Sequence, residues 1–305
     1  MSRDLLSGNG LLHEAKGRAA RCSGMGPAKS GPCCSIDDLF DPGCACDSHL
    51  GVAASSPLAP VSISIVLPCF NEEANIERTV RQTQEWFRDD RIDGEIIVTD
   101  DGSKDGSLSL LKKLQAEMPN LKVVHHETNQ GYGAAVRSGC DKAEKVWIAF
   151  MDSDGQFHAQ DFRRLLPLTA DADFVTGIRE KRADTFQRWL NSRMYNLLVR
   201  ALLGVHPSDI NCGMKIFRRS IWKTIRPVYA TGALINTEMF YTLKNAMIPW
   251  KETLVPHYPR LAGNPTGANL RVILRTFKEL WQLKRCRKTC AAGGLVEEPA
   301  PPLAA

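Results

Sequence analysis

From Val61 onward, short β-branched runs alternate with amphipathic stretches, and this alternation constrains the fold more than any other feature of the chain. Ser62-Ile-Ser-Ile-Val66, Glu95-Ile-Ile-Val-Thr99 and residues 121–124 have the composition and length of strands. Between them, Ile76, Val80, Thr83 and Phe87, then Leu111, Leu114 and Met118, recur at helical spacing, and residues 133–144 read as a third helix. Val146-Trp-Ile-Ala-Phe-Met151 is apolar throughout, the pattern of a central strand covered on both faces. Strands and helices in strict alternation imply a parallel sheet with right-handed crossovers. Such sheets bind ligands beyond the carboxyl ends of their strands.

Those ends carry the polar chemistry. The first strand runs out into Pro68-Cys-Phe-Asn-Glu72, the second into Thr99-Asp-Asp-Gly-Ser-Lys-Asp-Gly106, and the fourth into Asp152-Ser-Asp-Gly-Gln156. Carboxylates gathered at one sheet edge repel one another unless a cation or a donor-rich ligand joins them. An all-oxygen set suits Mg²⁺ or Mn²⁺ better than zinc. Acidic pairs in turns also solvate loops and cap helices, so Asp-x-Asp gains weight here from its place after a buried strand. Ser103 or Asp105 is expected to cap the second helix. Asn129-Gln-Gly-Tyr-Gly-Ala-Ala135 opens a helix with two glycines, expected to serve helix-to-sheet packing.

The flanks differ from this middle. Residues 1–60 are rich in Gly, Ala, Ser, Pro and Cys without sustained apolar period, which predicts a disordered extension. Five of the chain's ten cysteines lie there, without the Cys-x2-Cys pairing of zinc modules. Near the other end, Leu270, Ile273, Leu274, Phe277, Leu280 and Trp281 form an apolar stripe among Arg271, Arg275, Lys278, Lys284, Arg285, Arg287 and Lys288. Residues 269–290 therefore read as a basic amphipathic helix, with a disordered tail over 291–305. The net charge of +5 is too small to argue for nucleic-acid binding. No run of about 18 apolar residues suggests a membrane-spanning helix. A cytoplasmic protein, peripheral on the cytoplasmic membrane face, is the expectation.

Taken in order, Pro68-Cys-Phe-Asn-Glu72, Asp100-Asp-Gly-Ser-Lys-Asp-Gly106, Asn129-Gln-Gly-Tyr-Gly-Ala-Ala135, Asp152-Ser-Asp-Gly-Gln156 and Asp209-Ile-Asn-Cys-Gly-Met-Lys215 resemble the motifs of family 2 glycosyltransferases. The nearest likeness is to dolichyl-phosphate and polyprenyl-phosphate mannosyl- and glucosyltransferases. The resemblance implies a GT-A fold, an α/β Rossmann-like and mainly parallel sheet flanked by helices, over residues 61–268. It implies that Pro68, Phe70, Glu72, Thr99 and Asp101 line the base and ribose pocket of a GDP- or UDP-sugar. Asp152 would meet the ribose or diphosphate side, Asp154 and Gln156 would hold Mg²⁺ or Mn²⁺, and Arg179, Arg188 and Arg260 would contact phosphate, with Arg193 the alternative to Arg188 because the loop length differs. One departure stands out: Arg260 is followed by Leu261-Ala-Gly-Asn-Pro-Thr-Gly267 and not by the Ser-Lys pair of dolichyl-phosphate mannosyltransferases.

The implied reaction is an inverting, in-line attack at the anomeric carbon with a nucleoside diphosphate leaving. A lipid-phosphate acceptor is already anionic and needs no base. A hydroxyl acceptor needs one, and Glu238 in Asn236-Thr-Glu238 is the candidate. The competing readings are a soluble transferase acting on a hydroxyl and a catalytically silent GT-A scaffold. An anionic membrane surface is the expected partner of the 269–290 segment.

Overall fold

The structure, a computed structural model, describes residues 61–180, 186–232 and 234–260, with the backbone alone for 186–192. The expectations for residues 1–60, 269–290 and 291–305 and for the side chain of Arg188 lie outside the described residues.

The described chain forms β1 (Ser62–Cys69), α1 (Glu73–Asp89), β2 (Asp93–Asp100), α2 (Ser107–Glu117), β3 (Leu121–His125), α3 (Tyr132–Asp141) and β4 (Trp147–Phe150). After two short 3-10 turns come β5 (Phe174–Arg179), α4 (Phe186–Leu203), β6 (Lys215–Arg218), α5 (Trp222–Ile225), α6 (Ile235–Asn245) and β7 (Lys251–Val255). Seven strands make one sheet in the order β3-β2-β1-β4-β6-β5-β7. β1 pairs in parallel with β2 and with β4, β2 with β3, and β5 with β7. β6 runs antiparallel to both β4 and β5, so the sheet is mixed and mainly parallel rather than wholly parallel. Four of the seven strands match the runs marked in the sequence, including the central β4, whose residues are all buried.

Period 2 in β1 divides the core between the two sheet faces. Ile63, Ile65 and Leu67 pack in one apolar cluster with Ile76, Val80 and Phe87 of α1 and Leu111 and Leu114 of α2. Val66 points the other way, into a cluster with Val136 and Cys140 of α3 and Met239 and Phe240 of α6. Each fully buried aliphatic side chain in these layers contributes roughly 1.5–3 kcal/mol. Helix α3 lies close on the sheet because Gly139 lacks a Cβ: one placed there would sit 2.4 Å from Val66 Cγ1 and 2.9 Å from Thr99 Oγ1. The crossovers bring the β1, β2 and β4 carboxyl ends side by side. No helix among the described residues is long and apolar enough to cross a membrane.

Candidate active site

The loops after β1 and β2 are knitted together by reciprocal hydrogen bonds. Asn71, held at φ 55°, donates its backbone N–H to Ser103 Oγ at 2.9 Å and accepts the Lys104 N–H at Oδ1 at 2.8 Å. Glu73 N–H donates to Asp105 Oδ2 at 3.2 Å, and Gly106 N–H donates to Glu73 Oε2 at 2.9 Å. The helix cap expected at Ser103 or Asp105 falls instead on Gly106, which has no side-chain cap, although Asp105 Oδ1 accepts the Ser107 N–H at 3.0 Å. The loop after β4 joins the same surface, since Ser153 Oγ donates to the carbonyl of Pro68 at 2.6 Å. Three motifs far apart in sequence thus form one rigid floor.

On that floor, Glu72, Asp154 and Arg260 converge. The Arg260 guanidinium donates to Glu72 Oε1, and its Nη1 lies 3.7 Å from Asp154 Oδ2. Glu72 Oε2 accepts from Asn75 Nδ2 at 2.7 Å, and burial raises the Glu72 carboxyl against the opposing pull of Asn75 and Arg260. Asp154 Oδ1 accepts the Gln156 N–H at 3.1 Å, which closes a turn. Gln156 Nε2 in turn donates to the carbonyl of Tyr258 at 3.3 Å, so the chain leaving β7 is tied to the metal-candidate turn. Asp152 lies beneath: Tyr132 Oη donates to its Oδ1 at 2.9 Å, and its carboxylate packs on Gly213, where a Cβ would come within 2.2 Å. Burial and the adjacent Asp154 charge push the Asp152 carboxyl up to about 6.

Other residues expected to meet a ligand have different work. Thr99 is 0% exposed under α3, so it cannot line a pocket. Asp101 is 2% exposed, and its oxygens accept the N–H groups of Gln130 at 2.9 Å and Gly131 at 2.8 Å and pair with His126 Nδ1 at 2.7 Å. It fixes the entry to α3. Pro68 is buried, with its carbonyl held by Ser153, whereas Phe70 stands 36% exposed at the mouth. Arg179 makes a two-pronged pair with Asp209, at 2.7 and 2.8 Å, which commits the expected phosphate arginine to the 209–215 motif. Glu238, the candidate base, is 3% exposed, and its carboxylate accepts the N–H groups of Val228 at 2.7 Å, Tyr229 at 3.1 Å and Ala230 at 2.8 Å. The structure gives it the task of holding that loop. The loop packs on α3, where Gly131 has φ 103° and a Cβ on Gly133 would lie 2.8 Å from the Gly232 carbonyl. The glycine pair therefore serves helix-to-loop contact and a turn, not helix-to-sheet packing.

Two members of this architecture escaped the sequence reading. Tyr132 lies inside the glycine motif, where an aromatic residue reads as packing. Lys215 is 0% exposed, donates to the carbonyls of Ile210 and Cys212, and lies 5.5 Å from the centre of the Phe150 ring. Burial lowers its ammonium to about 8. It ends the motif that also supplies Asp209 and Gly213, so one buried cation anchors the segment against which Asp152 rests.

The oxygen set fits a hard divalent cation. Burial and the neighbouring Asp154 charge raise the cost of ionising Asp152, which a cation would relieve, and Asp154 and Gln156 lie at one turn with oxygen-bearing side chains. Among the described residues no three His, Cys, Asp or Glu side chains converge on one point. Mg²⁺ keeps several ligands from phosphate and water, so two protein donors are compatible with it.

Residues 64–226 match the profile of Glycosyl transferase family 2. An undecaprenyl-phosphate 4-deoxy-4-formamido-L-arabinose transferase of Pseudomonas paraeruginosa is 35% identical over 187 residues, 57% of this chain and 55% of that protein. A protein of the same description from Pseudomonas fluorescens is 30% identical, over 70% of this chain and 62% of its own. A dolichyl-phosphate beta-glucosyltransferase of Trichomonas vaginalis is 31% identical over 55% of this chain and 56% of its own. The chain thus spans between half and two thirds of the length of these curated relatives. Among solved structures, glucosyl-3-phosphoglycerate synthase from Mycobacterium tuberculosis, in complex with Mn²⁺, UDP and phosphoglyceric acid, aligns with a TM-score of 0.55 at 21% identity. That alignment covers 72% of this chain and 78% of the synthase, and it speaks to the fold.

Proposed function

The chain belongs to glycosyl transferase family 2, and from that premise we propose that it moves a sugar from a GDP- or UDP-sugar to a polyprenyl or dolichyl phosphate with inversion at the anomeric carbon. The observation that carries this reading is the meeting of Glu72, Asp154 and Arg260 beside a half-buried Asp152 at the carboxyl edge of β1 and β4. Asp154 and Gln156 would hold Mg²⁺ or Mn²⁺, which supplies charge neutralisation on the departing diphosphate. Arg260 brings a cation to the same face, braced by Glu72 so that it points at the turn. Asp152, oriented by Tyr132 and Gly213, meets the sugar or ribose side of the donor.

The acceptor follows from what the base candidate is doing. A hydroxyl must surrender a proton as it attacks, and Glu238 has its carboxylate spent on three backbone amides. A phosphate monoester is already anionic and needs no such group. The names of the relatives at 30–35% identity, all transferases to undecaprenyl or dolichyl phosphate, support the same choice. Attachment to the cytoplasmic membrane face through the basic stripe over 269–290 belongs to this proposal and rests on the sequence pattern.

The test is transfer of radiolabelled sugar from a panel of UDP- and GDP-sugars, with Mn²⁺, to a short-chain polyprenyl phosphate and to the corresponding polyprenol. Label entering the phosphate but not the alcohol supports the proposal. Label entering the alcohol or a soluble hydroxyl acceptor moves the assignment to a hydroxyl transferase.

A further inference from the structure

Arg78 stands in the second turn of α1, and its side chain reaches under the Asp152–Gln156 turn. A Cβ placed on Gly155, whose φ is 78°, would lie 2.3 Å from Arg78 Nη2, with Asn75 Oδ1 the next group at 4.0 Å. The guanidinium therefore occupies the space that the missing side chain leaves. Its Nε and Nη2 are enclosed, and neither has a hydrogen-bond partner among the described residues. A buried donor without an acceptor costs about 1–3 kcal/mol, and more when charged. Groups left unmet in this way call for an explanation such as strain, catalysis or an absent ion.

The neighbouring arginines are satisfied within the protein. Arg260 is held by Glu72, Arg179 by Asp209, and Arg81, three residues further along α1, by Glu77 and Glu117. The oxygens beside the turn are already engaged, since Glu72 Oε2 accepts from Asn75 and Asp154 Oδ1 from Gln156. Arg179 and Arg260, two of the arginines nominated for phosphate, are thus committed to carboxylates, while Arg78, an arginine outside every motif, carries open donors at the turn.

We propose that Arg78 is a donor-binding residue, and that the diphosphate of a nucleotide sugar seated at the Asp154 turn supplies the acceptor oxygens its guanidinium lacks. The proposal rests on the reading of that turn as a nucleoside-diphosphate site. No hydrogen bond among the described residues holds Nε or Nη2, so the flexible stem can swing the head group toward an anion at the turn, and a planar fork suits phosphate oxygens.

The test is calorimetric titration of the full chain with UDP and with GDP in the presence of Mn²⁺, together with the melting temperature of the ligand-free protein. Arg78→Met should weaken nucleotide binding about tenfold or more, as expected for a lost charge-assisted pair. Its ligand-free melting temperature should equal or exceed that of the wild type, because the variant loses only unmet donors. Arg78→Lys should recover part of the affinity, and Arg81→Met, which removes an equal charge from the same helix, should bind as the wild type does. Unchanged affinity in Arg78→Met overturns the proposal. So does a loss that comes with a lower ligand-free melting temperature, the mark of a side chain that merely props the turn. If the wild type binds neither nucleotide, the reading of the turn as a GDP- or UDP-sugar site falls, and this proposal with it.

Discussion

Tyr132 donates its phenolic hydrogen to Asp152 at 2.9 Å, and this single bond joins the first turn of α3 to the loop after β4. Both groups are half-buried, and desolvation together with the nearby Asp152 charge holds the phenol well above its usual range. Tyr132→Phe keeps the ring and deletes the donor, so an oxygen of a half-buried carboxylate loses this partner at a cost of about 1 kcal/mol. We expect kcat to fall about tenfold or more with a smaller change in donor KM. Wild-type kcat in this variant would show that the bond has no part in orienting Asp152.

Asp101 anchors the other side of the same helix entry through two amides and His126. In Asp101→Asn one acceptor oxygen becomes an amino group that faces N–H donors. We expect a loss of roughly 2 kcal/mol or more in denaturant unfolding. An unaltered midpoint would mean that the 130–131 segment is held by other contacts.

Glu238→Gln separates a structural role from a chemical one. Gln keeps one acceptor oxygen for the three amides of the 228–230 loop, so stability should drop by about 1–3 kcal/mol while the folded fraction retains transfer activity within a few-fold. A hundredfold loss of kcat at unchanged stability would instead make Glu238 the base and favour a hydroxyl acceptor.

Lys215 should leave a signature in the pH dependence of stability. Burial lowers its ammonium from the ordinary 10.5 to about 8 in the folded protein. Between these values the unfolded chain binds the proton more than the folded one does, so stability rises with pH across that window and bears the full burial cost below it. Lys215→Met removes this dependence. The stability difference between wild type and variant should therefore shift toward the wild type by about 2–3 kcal/mol between pH 8 and pH 10, at about 1.4 kcal/mol per pH unit. A difference that stays flat over this range would mean that Lys215 titrates normally.

Much of this organisation could be read in advance where the signal is local. Ile76, Val80, Thr83 and Phe87 repeat at helical spacing because α1 buries one face, and β4 is apolar throughout because the sheet covers it on both sides. The strand-end rule brought Glu72, Asp152 and Asp154 to one edge without any distance information. Partner choice was not legible: Arg179 and Asp209 stand 30 residues apart, and nothing local tells a guanidinium aimed at phosphate from one aimed at a carboxylate. The direction of β6 was hidden for a similar reason, since four residues beginning with a buried lysine carry no period. Arg78 lies outside every motif, and only the space above Gly155 reveals it.

The most direct measurement is the metal-dependent release of nucleoside diphosphate from a nucleotide sugar in the presence of a polyprenyl phosphate, compared between the wild type and Asp154→Ala. Asp154 lies 3.7 Å from Arg260 at the meeting point of the strand-end loops, and it is the carboxylate assigned to the cation. The expected result is turnover by the wild type with Mn²⁺ or Mg²⁺, its loss on chelation, and a fall of roughly a thousandfold or more in the variant, because the cation's charge stabilisation amounts to several kcal/mol. Turnover at the wild-type rate in Asp154→Ala, or turnover indifferent to chelation, would contradict the account.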